Sequence, residues 1–109
     1  MSPMVAVLLA LLVCAPLAHA RDIEAGRARA TEVCAACHGA NGVSVSPDIP
    51  NLAGQKAGYL GNQLRAFKSG TRKNPLMNAI APQLSPTDID NVTAYFASLP
   101  GPAAGTAMS

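Results

Sequence analysis

The segment Cys34-Ala35-Ala36-Cys37-His38 constrains this chain more than any other. Two thiols three positions apart, followed at once by an imidazole, can each add to a vinyl group of one haem while the histidine ligates the iron from the same face. A bare C-x-x-C also serves as a redox disulfide or as half of a zinc site. Zinc wants four ligands, however, and beyond residue 20 the chain offers only these three of the usual kind. A surface disulfide gives no reason for the adjacent histidine. The motif therefore predicts a chain folded around a covalently held haem.

The N-terminus reads as an export signal, consistent with covalent haem attachment outside the bacterial cytoplasm. Met4 to Leu17 is almost wholly apolar, broken by Pro16, and Ala18-His19-Ala20 is a small-x-small cleavage site, so residues 1–20 are expected to be removed and Arg21 to begin the working chain. No Lys or Arg precedes the apolar run, which leaves the terminal amine as the only positive charge there. An uncleaved anchor needs about 20 apolar residues, and this run stops short at a proline. Cys14 follows Val13 rather than a small residue, so it reads as an inert cysteine in a discarded peptide.

The remainder is one small domain whose side chains alone make a marginal core. It has no tryptophan, and Tyr59, Tyr95, Phe67 and Phe96 are its only aromatics. A large apolar macrocycle supplies what these lack. All eight basic and six acidic residues lie after residue 20, giving a net charge of +2. That near balance, with no basic stretch interleaved with aromatics, excludes a nucleic-acid binder.

Three helices are expected, joined by long loops. The first runs from about Asp22 into the haem motif, with an apolar face of Ile23, Gly26, Ala30 and Val33. Gly26 costs roughly 1 kcal/mol against alanine in a helix interior, which points to a second helix crossing closely there. The second runs from near Gln55 to Gly70, with Leu60, Leu64 and Phe67 at i, i+4 and i+7. The third has Ser85 as N-cap, Pro86 in the first turn and Asp88 three residues after the cap, then Ile89, Val92, Tyr95, Phe96 and Leu99 before Pro100-Gly101. It should pack on the first helix. Residues 100–109 read as a flexible tail.

The stretch from Gly39 to Gly54 carries Pro47 and Pro50 and little periodicity, so it should wrap the haem edge as a loop. A ligating histidine needs a hydrogen-bond partner for its other ring nitrogen, and the rigid Pro50 could offer its carbonyl; shaping a turn is an equally simple use for that proline. His38 is the only histidine beyond residue 20, so the soft donor left for the sixth iron position is methionine. Met77 sits in the non-periodic stretch Asn74-Pro75-Leu76-Met77-Asn78, whereas Met108 lies in the tail, where ordering costs entropy.

With these residues in view the chain resembles a bacterial class I cytochrome c. The likeness covers nearly everything after residue 20: C-A-A-C-H-G at 34–39, P-N-L-A-G at 50–54, Tyr59 through Gln63-Leu64 to Phe67, Met77, and L-S-x-x-D-I at 84–89 leading to Ala94-Tyr95-Phe96. It is similar to the short soluble monohaem members and to one half of the dihaem tandem proteins. The resemblance implies an all-α fold, three main helices and long loops around one haem c, with residues 21–99 as the cytochrome domain. It implies that Cys34 and Cys37 attach the haem and that His38 and Met77 ligate its iron. It also implies that Pro50 presents its carbonyl to His38 and that Gly26 meets the third helix near Tyr95.

The expected function is one-electron transfer in the periplasm, with no stable membrane anchor after cleavage. Both axial positions filled by protein argue against enzyme activity, because a substrate needs an open position. Methionine favours the ferrous form, which suits passage of electrons from a dehydrogenase or respiratory complex to an oxidase or reductase. Lys56, Arg65, Lys68, Arg72 and Lys73, with no acidic residue among them, could steer the protein to an acidic redox partner. Two rival readings are a permanent haem subunit of a larger dehydrogenase and a haem sensor or enzyme with a displaceable methionine.

Overall fold

Asp22 accepts a hydrogen bond from the Ala25 N–H at 2.9 Å and so starts α1 (Ile23–Val33). The computed structural model describes residues 21–102, and the expected removal of residues 1–20, Met108 and most of the tail lie outside that range. After α1 come α2 (Ala35–His38), α3 (Ala57–Ser69), α4 (Pro75–Ile80), a 3₁₀ turn (Ala81–Gln83) and α5 (Pro86–Ser98). No strand occurs among the described residues. The three expected long helices are α1, α3 and α5; α2 and α4 are additions too short for hydrophobic periodicity to reveal.

α5 begins with a reciprocal capping box: Ser85 Oγ accepts from the Asp88 N–H, and the Asp88 carboxylate accepts from the Ser85 N–H, each at 3.0 Å. The Ser85 N–H holds the Asp88 carboxyl below its ordinary range, and Arg29, 3.4 Å away, acts in the same direction. Because the folded value is the lower one, this stabilises the protein above the unfolded carboxylate pKa and is lost as pH falls through the folded value. Urea midpoints of Asp88→Asn, measured between neutral pH and pH 3, should therefore decline less steeply than those of the wild type.

Ile89, Val92, Tyr95 and Phe96 form the buried face of α5 and meet Ala30, Leu60 and Leu84 in one cluster, with Val33, Leu64 and Leu99 packed against it. α1 crosses α5 at Gly26. A Cβ there would stand 2.0 Å from the Asn91 carbonyl oxygen and 3.1 Å from Tyr95 Cβ, so the backbones touch and only glycine fits. Ile23, expected on the same face, stays 44% exposed at the first position of the helix, where neighbours lie on one side only. Alanine gains about 1 kcal/mol over glycine in helix propensity, but backbone displacement at the crossing costs about 1–3 kcal/mol. Gly26→Ala should therefore lower the thermal unfolding midpoint, by roughly 8–16 °C at the upper end of the balance, a net loss of 2 kcal/mol in a domain of this size.

The loop after α2 is held at several points. Gly42 O accepts from the Leu52 and Ala53 N–H groups, Tyr95 Oη donates to Ala40 O at 2.9 Å, and the Gly54 N–H donates to Phe96 O at 3.0 Å. Gly42 has φ +74°, and a Cβ there would approach Ala53 N at 2.8 Å and Phe96 Cδ1 at 2.9 Å. The loop is irregular, as expected, yet fastened to α5.

Candidate haem centre

A cavity of about 350 Å³ opens between α2, residues 48–55, α3 and α4, within the usual range for cofactor sites. Leu60, Leu64 and Phe67 all line it, and so do Val92 and Phe96 from α5. The apolar stripe of α3 thus serves both the core and the cavity, which is why its periodicity could not decide between them. Arg72 and Asp48 are the only charged residues on the wall.

Cys34, Cys37 and His38 line the same cavity. The single turn of α2 carries both thiols and the imidazole, because Cys34 O accepts from the Cys37 and His38 N–H groups at 3.3 and 3.0 Å. Neither cysteine is paired in a disulfide, and both are partly buried. Burial pushes the Cys34 thiol up to about 11, so it keeps its proton at neutral pH.

His38 is buried, and its Nδ1 lies 2.9 Å from the Pro50 carbonyl oxygen. A carbonyl only accepts, so Nδ1 carries the proton and Nε2 presents a lone pair, the form of imidazole that binds a metal. Asn51 fixes the neighbouring backbone by accepting from the Ser44 N–H at 2.7 Å. Among the described residues no group of three His, Cys, Asp or Glu is placed to hold a metal ion.

Met77 also lines the cavity, half-buried. It stands on a helix rather than in the irregular stretch expected for it. Asn74 caps α4 by accepting from the Met77 N–H at 3.0 Å, and Pro75 takes the first helical position. Cap and proline signals in Asn74-Pro75 were legible; a helix of six residues has no period to read. Tyr59 and Leu76, both about half exposed, line the cavity too. The donor set of two thiols, one imidazole nitrogen and one thioether on a largely apolar wall fits a haem.

The five basic residues all stay exposed. Lys68 Nζ donates to Leu84 O at 2.5 Å, and the Arg72 guanidinium lies 4.6 Å over the Phe67 ring while donating to Gln63 Oε1. Both are committed within the chain. Arg65 likewise donates to Asn62 Oδ1 at 2.9 Å, and none of these acceptors carries a charge.

Residues 23–100 match the family model described as cytochrome c. The chain belongs to the cytochrome c family. It is 47% identical over 83 residues to a cytochrome c4 of Pseudomonas aeruginosa, covering 75% of this chain and 41% of that one. It is 48% identical over 69 residues to a thiosulfate dehydrogenase electron acceptor of Stutzerimonas stutzeri, covering 61% and 32%. The crystal structure of a reduced recombinant cytochrome c4 from Pseudomonas stutzeri superposes with a TM-score of 0.71 at 39% identity, over 76% of this chain and 48% of that one. The cytochrome thus spans less than half the length of each of these three. Its fold is that of the class I bacterial cytochromes c, and its cofactor is haem c, covalently bound and containing iron. Among the described residues no helix is long and apolar enough to cross a membrane.

Proposed function

We propose that this cytochrome is a periplasmic one-electron carrier whose haem is attached through Cys34 and Cys37 and ligated by His38 Nε2 and the Met77 thioether. In this reading residues 1–20 are a cleaved export signal and residues 21–99 the working domain. The observation that carries it is the commitment of His38 Nδ1 to Pro50 O at 2.9 Å, which leaves Nε2 as the free donor in a cavity that also holds Met77. Bound haem supplies a reversible one-electron change between ferrous and ferric iron.

The residues do the rest. Pro50 fixes the imidazole plane, the apolar walls from α3 and α5 exclude water, and Met77 closes the sixth position against outside ligands. Low local polarity and a thioether donor both favour the ferrous state. The decisive experiment exposes the reduced protein to carbon monoxide at neutral pH. An electron carrier with both axial positions filled should show no binding over minutes; rapid binding would instead favour a sensor or enzyme with a displaceable methionine.

Its partners are proposed to be redox proteins: a donor of the dehydrogenase class, as the name of the Stutzerimonas stutzeri relative suggests, and an oxidase or reductase as acceptor. The steering surface comprises Lys56, Arg65, Lys68, Arg72 and Lys73, all exposed, since hydrogen bonds to neutral acceptors leave their charges in place. Reversing Arg65 and Lys73 to glutamate should slow association with an acidic partner about tenfold at low ionic strength, and the rates should converge as salt rises. Stopped-flow reduction across a salt series measures this.

A further inference from the structure

α4 has no fully buried residue and only six positions, so neither core packing nor intrinsic helicity fixes it. What holds it is polar. The Asn78 carboxamide uses both of its N–H donors and its oxygen: Nδ2 donates to Phe67 O and to Arg72 O, each at 2.9 Å, and Oδ1 accepts from the Asn74 N–H at 2.8 Å. Asn74 in turn accepts from the Met77 N–H through its own side chain. Two asparagines therefore link the end of α3, the 70–74 connection and the backbone of Met77 into one brace.

We propose that Asn78 is the positioning residue for Met77, setting how far the thioether reaches into the cavity and how firmly it stays there. The inference rests on the proposed ligation by Met77. Phe67 is a cavity-wall residue near the end of α3, and its carbonyl is one anchor of the brace. Removing the carboxamide leaves two carbonyls and one N–H without these partners and frees α4 to shift. Deleting a cap elsewhere, such as Ser85 on α5, weakens the fold without touching this linkage.

The test compares haem-loaded wild type, Asn78→Ala, Asn78→Ser, Met77→Ala and Ser85→Ala. It reads the near-infrared sulfur-to-iron band of the oxidised proteins and their affinity for added imidazole, which competes with the thioether. Asn78→Ala should bind imidazole at least about tenfold more tightly than the wild type, because lost hydrogen bonds that hold the thioether in place favour its displacement. Ser85→Ala should match the wild type. If Asn78→Ala does not fold, Asn78→Ser, which keeps an oxygen but loses both N–H donors, carries the same expectation. Wild-type affinity in the Asn78 variants, or an equal rise in Ser85→Ala, overturns the inference. A wild-type protein that lacks the band, or whose band survives Met77→Ala, overturns the ligation on which the inference rests, and no Asn78 result can mimic that outcome.

Discussion

Met77→Ala is expected to abolish the sulfur-to-iron band of the oxidised protein and to lower the reduction potential by on the order of 0.1–0.3 V, within the roughly 0.8 V over which axial ligands move haem potentials. The fold should survive, because Met77 is only half-buried and lies outside the central cluster. The variant should also bind carbon monoxide when reduced. Spectroelectrochemical titration of wild type and variant gives band and potential in one measurement. An unchanged potential would remove Met77 from the iron.

Serine at both Cys34 and Cys37 should have a still broader effect. The buried cluster comprises only Ala30, Leu60, Leu84, Ile89, Val92, Tyr95 and Phe96, a small core even for a domain of this length. Leu60, Val92 and Phe96 belong both to that cluster and to the cavity wall, so an empty cavity leaves much of the core facing water. Without its thioethers the chain should lose its haem on denaturation and fail to recover it. Its thermal unfolding, followed by far-ultraviolet circular dichroism, should become shallow where the wild type unfolds cooperatively. Full cooperativity in the doubly substituted chain would show that the polypeptide core suffices alone.

The long helices were readable because each carries redundant signals. α5 has a cap, a proline at its first position and a periodic apolar face, and all of them agree with the structure. Gly26 was readable for a different reason: a glycine in mid-helix lowers stability unless something passes close by, and Asn91 and Tyr95 do. The site was partly legible. The motif at 34–38 dictates adjacency through the chain itself, so one helical turn suffices to bring thiols and imidazole together.

What stayed hidden depends on contacts that fall outside the spacing of any one helix. Nothing local in Lys68 or Arg72 tells that one reaches the Leu84 carbonyl and the other stacks on Phe67. The link from Tyr95 to Ala40 spans 55 positions and fastens the irregular loop to α5. Asn78 was invisible for the same reason, since its two carbonyl acceptors come from the end of one helix and the connection that follows.

The most direct test of the central claim is the intact mass of the exported, purified protein under denaturing conditions, read beside its alkaline pyridine spectrum. The expected result is a polypeptide heavier by one haem that no denaturant removes, with the spectrum of a haem carrying two thioether bonds. A polypeptide of bare mass, its cysteines open to alkylation, would contradict the assignment of Cys34, Cys37 and His38 and, with it, the proposed electron carrier.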